Sequence, residues 1–124
     1  MEGIDHIYNG LGYITYSLCM ADGAVQDDER HEVEELVKQA AKKQSFHASF
    51  ADGVFRLSQM EHLPQTTALH LGIDEFEKHA FYLKPELQKN ILDFLNEVAI
   101  ATPPITEVEE SVINQVKEFF AGLN

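Results

Sequence analysis

Apolar residues recur every three or four positions from the start of the chain. Ile4, Ile7, Leu11, Ile14, Leu18 and Ala21 form one stripe, which predicts an amphipathic helix. Gly10 and Gly12 lower its local propensity and point to a kink or to close packing there. After an Asp22-Gly23 turn, a second stripe runs through Val25, Glu29, Val33, Leu36 and Ala40 to about Ala41. The middle of the chain is less regular. A helix is expected over Phe46 to Met60, stopping before Pro64, then a short helical turn over Thr66 to Leu71. A further helix capped by Asp74 is expected to run to Leu83. Pro85 suits a first helical position and opens a long helix with Leu87, Ile91, Phe94, Leu95, Val98 and Ala101 inward. Pro103-Pro104 ends it. The last helix starts at Thr106 and turns Val108, Val112, Ile113, Val116, Phe119 and Phe120 inward. Strand-like alternation is absent. The expected fold is therefore all-α, a compact bundle of about five to seven helices of ordinary length.

The two ends of the chain share one register. Ile7, Leu11, Ile14, Leu18, Ala21, Val25, Glu29, Val33 and Leu36 correspond to Leu87, Ile91, Phe94, Val98, Ala101, Ile105, Glu109, Ile113 and Val116 at a constant offset. Turn length and glutamate are kept along with the apolar stripe. This predicts an internal helix-hairpin pseudo-repeat within a single domain spanning 1–124. The copies cover about 4–41 and 84–121, with a divergent middle, 45–83.

Composition bounds the role. The chain has 124 residues and 44% hydrophobic content, enough for a core without staples. No apolar run reaches membrane-spanning length, and no basic n-region of a signal peptide is present, so the expected address is the cytoplasm. The single cysteine, Cys19, sits in an apolar helical run and reads as a buried thiol. Net charge is −12, from 21 acids against nine bases. That surface disfavours nucleic acid and anionic lipid, and suits cations or a basic protein surface.

The acids concentrate at the first joint, Ala21-Asp22-Gly23-Ala24-Val25-Gln26-Asp27-Asp28-Glu29. Asp-Gly-x-Val-x-x-x-Glu matches the second half of an EF-hand loop. Its first and third positions would be Leu18 and Met20, which offer calcium no oxygen, so an EF-hand is excluded. Glu29 and Glu109 both fall on inward stripes, where a carboxylate must be hydrogen-bonded, paired or metal-bound. Thr106-Glu107-Val108-Glu109 reads as a capping box, with Glu109 returning to the Thr106 N–H. At the first joint both capping and cation binding stand open. For a cation, Asp22 and Glu29 are the leading carboxylates, and Asp28 and Glu32 add oxygens on a neighbouring face. That donor set favours calcium, magnesium or manganese over zinc.

The six histidines form no ligand run in sequence. His31, beside Asp27 and Glu35, and His79, beside Glu75, have acids at i, i+4 and read as surface pairs. His47, His62 and His70 lie in the irregular middle. Asp28-x-x-His31 resembles a fragment of a di-iron spacing, but Glu-x-x-His occurs nowhere. Cys19 has no adjacent base, and there is no strand-linked phosphate loop. Phe46, Phe50, Phe55, Phe76 and Phe81 read as core. No catalytic residue is expected.

Ala21-Asp22-Gly23 with Val25 and Glu29 resembles the signature of the tellurite-resistance TerB-like family. The second copy keeps Ala101, Ile105, Thr106 and Glu109, with Thr102-Pro103 in place of Asp-Gly. The resemblance covers both ends of the chain and not its middle. It implies a compact all-α bacterial domain linked to stress response, phage defence or co-chaperone-like proteins, with divalent-metal binding by acidic residues. A structural scaffold or co-chaperone accessory domain that binds protein partners without metal is the alternative.

Overall fold

A computed structural model describes residues 2–22, 27, 30–32, 34–35, 39, 48–101 and 105–124. Among them the chain is helical and contains no strand. The elements are α1 (Gly3–Cys19), a 3-10 turn (Met20–Asp22), α2 (Ala48–Met60), α3 (Gln65–Lys78), a 3-10 turn (Ala80–Tyr82), α4 (Pro85–Ala101) and α5 (Glu107–Leu123). Asp27, 30–32, 34–35 and 39 are helical as well. The second apolar stripe (Val25, Glu29, Val33, Leu36, Ala40) lies outside the described residues, as do Phe46 and the side chain of Ala101.

Helix α1 is the centre of the bundle. It packs most extensively on α3 and α2, and also touches α5 and α4. The expected stripe is buried at Ile7, Leu11, Ile14 and Leu18, and so are Tyr8, Tyr16 and Cys19 on other faces. A helix surrounded by neighbours has no solvated side to keep polar. The buried Thr15 hydroxyl is satisfied within the helix, where Oγ1 donates to the Leu11 carbonyl at 2.7 Å.

Three contacts set α1 against α3. Ser17 Oγ donates to the Gln65 carbonyl at 3.0 Å and accepts from Gln65 Nε2 at 2.9 Å. Gly10 and Gly72 meet in the middle, where an added Cβ on Gly10 would lie 2.9 Å from the Gly72 carbonyl oxygen. His6 meets Glu75 at the far end. Residue numbers rise on one helix as they fall on the other, so the pair runs antiparallel. Close packing, rather than a kink, explains Gly10.

The turn between α2 and α3 is a Schellman stop. Leu63 N–H donates to the Ser58 carbonyl and His62 N–H to the Gln59 carbonyl, with His62 at φ 52°. The sequence expectation for α3 is corrected here. Thr66 to Leu71 and Asp74 onward are not separate pieces; one helix runs from Gln65 to Lys78, with Asp74 exposed inside it. Burial of Ala68, Leu69, Gly72 and Phe76 on a single face holds the helix through the point where Gly72 and Asp74 suggest a break. The segment that follows is a 3-10 turn and not the end of a longer helix.

The C-terminal hairpin follows the pattern closely. α4 begins at Pro85, and Ile91, Leu95 and Val98 are buried. In α5, Val112, Ile113, Val116 and Phe120 are buried. Val108 is an exception at 42% exposed. It lines a shallow groove of about 290 Å³ between α3 and α5, with Gln65, Leu69 and His70 on the opposite wall. Phe81 is a second exception: expected in the core, it is 74% exposed on the 3-10 turn. There it contacts Tyr82 edge-on and lies under Lys84 Nζ at 4.3 Å.

Candidate functional site

The second joint resolves one sequence question. Thr106 Oγ1 accepts the Glu109 N–H at 3.1 Å, and Glu109 Oε1 accepts the Thr106 N–H at 3.1 Å. This is the expected capping box. The Glu109 carboxylate is buried at 4% exposure and its inward position is used to close the helix start. The negative charge also sits well against the helix N-terminus.

The first joint is less visible. Asp22 ends the 3-10 turn that follows α1, but its side chain lies outside the described residues, as do Asp28 and Glu29 entirely. Glu32 is helical and exposed. Of the four carboxylates, only that of Glu32 lies among the described residues. Beside them, Glu34 accepts from Arg30 Nε at 3.2 Å and from Arg56 at 3.3 Å, while Arg56 Nε also pairs with Asp52 at 3.1 Å. Glu34 thus joins this helical segment to α2.

A constellation that sequence reading missed lies at the other end of α1. His6, on its first turns, meets Glu75 from the last turn of α3 and His79, the residue that caps that helix. One donor atom from each of the three lies within 4.8 Å of the other two. His6 Nδ1 and Glu75 Oε2 are 2.9 Å apart, and their side chains are 33% and 22% exposed. The two imidazoles stack with centroids 4.2 Å apart and planes 1° from parallel. His79 Nδ1 lies 3.1 Å from the Glu75 backbone carbonyl. A carbonyl only accepts, so Nδ1 carries the proton and the lone pair of a neutral ring is at Nε2. Glu75 thus binds His6 with its carboxylate and His79 with its main chain. The expected side-chain pairing of Glu75 with His79 is replaced by this arrangement, because α1 supplies a competing ring.

Local folding places each member. Glu75, in the last turn of α3, and His79, its C-cap, are four residues apart, which sets them on one side of the helix end. His6 reaches them because the Gly10–Gly72 contact lets α1 and α3 approach at backbone distance one turn away. Beyond His79, the 3-10 turn carries the Tyr82 ring over Gly3 at the start of α1. Nearby, the Glu2 N–H is held by Asp5 Oδ2 at 3.0 Å, which anchors the first turn of α1. The signal in sequence was half present. Glu75-x-x-x-His79 is visible, but His6 lies 69 residues from Glu75 and only the fold joins them.

No family model, no curated protein and no solved structure matches this chain.

Proposed function

We propose that the chain is a non-enzymatic helical module, similar to the TerB-like domains of bacterial stress responses, working in the cytoplasm. Its acid-rich end receives a divalent cation or a basic partner. The observation that carries this reading is charge: −12 over 124 residues, with seven acids between Asp22 and Glu35. A surface of that sign concentrates cations and basic protein segments. Asp22 and Glu29 are the leading carboxylates, with Asp28 and Glu32 beside them, and calcium, magnesium or manganese is the matching ion.

The scaffold reading is favoured by one specific observation at the other joint. Glu109, the repeat counterpart of Glu29, spends its carboxylate on a helix cap. If Glu29 does the same, the acids serve capping and charge alone, and the module binds partners through its helical faces. Thermal melts of chelator-treated protein with calcium, magnesium or manganese separate the two. A saturable rise in Tm, removed by both Asp22→Asn and Glu29→Gln, supports a cation at the acidic joint. No rise with any of the three ions overturns the cation reading in favour of the scaffold.

A further inference from the structure

We propose that His6, Glu75 and His79 form a binding site for a borderline divalent transition ion, of which zinc is the representative. This site is separate from the acidic joint and does not rest on the reading of that joint. Two imidazoles and one carboxylate are a donor set that suits zinc, cobalt or nickel better than calcium or magnesium, which prefer all-oxygen shells.

Three features of the geometry support it. The first is spacing. Ligand atoms each about 2.1 Å from a shared ion sit about 3 to 3.5 Å from one another, and His6 Nδ1 and Glu75 Oε2 are already 2.9 Å apart. An ion can take the place of the proton they share, with the ring proton moving to Nε2 of His6. The second is orientation. Metal-binding histidines characteristically donate their other ring N–H to a carbonyl or carboxylate, which fixes the ring and its tautomer. His79 has this bond already, from Nδ1 to the Glu75 carbonyl at 3.1 Å. Its Nε2 is thereby prepared as the ligand. The third is rigidity and access. The donors come from two helices locked together at Gly10 and Gly72, and the site is half-buried, so an ion can reach it while part of its water shell is replaced by protein.

The stacked rings make the proposal sharper. A ligand nitrogen binds along its own ring plane, so two parallel imidazoles cannot both address one ion without tilting. Loading therefore breaks the His6–His79 stack. Three protein donors leave at least one position for water. The ion ties the first turns of α1 to the end of α3, and so stabilises the folded state by mass action.

The test uses the full chain, stripped with chelator and titrated with zinc by calorimetry, with Tm and the imidazole proton resonances followed in parallel. The expected result is one equivalent of zinc per chain, a saturable rise in Tm, and movement of the His6 and His79 ring protons as their mutual ring-current shift is lost. His6→Gln, His79→Gln and Glu75→Gln each remove a ligand, and should each weaken binding by more than the roughly 10- to 100-fold that loss of an outer-shell partner costs. His70→Gln, on an exposed face away from the cluster, should bind as the parent does. Circular dichroism of each zinc-free variant establishes that it is folded, and the resonance readout on the parent requires no variant. The proposal is overturned if zinc leaves the two ring systems unmoved, or if His6→Gln and His79→Gln bind as tightly as the parent. It is likewise overturned if Asp22→Asn and Glu29→Gln abolish the binding while the histidine variants keep it. A calcium or magnesium effect at the acidic joint, present or absent, leaves this outcome unaffected.

Discussion

Gly10 and Gly72 face each other across the α1–α3 crossing with no room for a side chain on either. A Cβ on Gly10 would lie 2.9 Å from the Gly72 carbonyl oxygen, and one on Gly72 would lie 2.8 Å from the Gly10 carbonyl oxygen and 2.5 Å from Ile14 Cγ1. Both obstacles include backbone, which cannot rotate away. The contact holds the antiparallel helix pair at the distance that lets His6 meet Glu75.

Gly72→Ala should therefore destabilise the protein although alanine is the better helix former. The propensity gain is about 1 kcal/mol. Overpacking a fixed helix crossing costs about 1–3 kcal/mol, commonly more than the gain. Gly53→Ala is the control, because nothing lies within 4 Å of its added methyl group in α2. That change should stabilise by about 0.5–1 kcal/mol. Urea denaturation of both variants reads the two signs. Equal stabilisation by both would mean that the helices can separate at the crossing without loss.

The capping box at the start of α5 predicts a graded series. Thr106→Ala removes the acceptor for the Glu109 N–H and should cost about 1 kcal/mol. Thr106→Ser should retain most of it. Glu109→Gln keeps a side-chain acceptor for the Thr106 N–H and should cost less than Glu109→Ala, which leaves that donor without its partner. Thermal melts at one fixed pH order the four variants. A Glu109→Gln protein as unstable as Glu109→Ala would show that charge at the helix terminus, and not the hydrogen bond, is what matters.

How much of this was legible in sequence depended on how local each cause was. The Thr106–Glu109 cap, the Pro85 start and the buried stripe from Ile7 to Leu18 are set by neighbours within two helical turns, and their patterns announce them. The break expected near Gly72 and Asp74 did not occur, because the reason for that glycine is Gly10, far away in sequence. Phe81 carries the composition of a core residue but sits on a turn outside the bundle, where Tyr82 and Lys84 are its contacts. The histidine cluster divides the same way. Glu75 and His79 are four residues apart and can be paired by spacing alone. His6 joins them only through the packing of α1 on α3.

His62 is a histidine whose part is conformational. At φ 52° it occupies the left-handed position that ends α2, with Leu63 N–H bonded to Ser58 and Pro64 following. A side chain in that region costs about 1 kcal/mol relative to glycine. His62→Gly should raise Tm, with part of the gain offset by the greater freedom of glycine in the unfolded chain. His62→Val, β-branched and least suited to that φ, should lower it. A stability order of valine above glycine would contradict the assigned turn.

Tyr16 crosses from α1 to the α2–α3 turn, where its hydroxyl donates to the Leu63 carbonyl at 2.7 Å. Its ring is 1% exposed and also meets Phe55 edge-on. Burial raises the Tyr16 phenol above its ordinary value of 10.0, and does the same for Tyr8. The folded state therefore holds these protons more tightly than the unfolded chain. Below about pH 10 both states are protonated and the stabilisation is fully present; above it the unfolded chain ionises first, so stability falls as pH rises toward the folded-state values. Tyr16→Phe should cost about 0.5–1.5 kcal/mol at neutral pH by removing the Leu63 bond. The same variant should show a shallower loss of stability between about pH 10 and pH 11, since it has one fewer phenol to ionise. Urea midpoints across that range, with phenolate absorbance recorded on the folded protein, measure both effects. An alkaline slope identical to that of the parent would mean that the Tyr16 hydroxyl is open to solvent when the protein is folded.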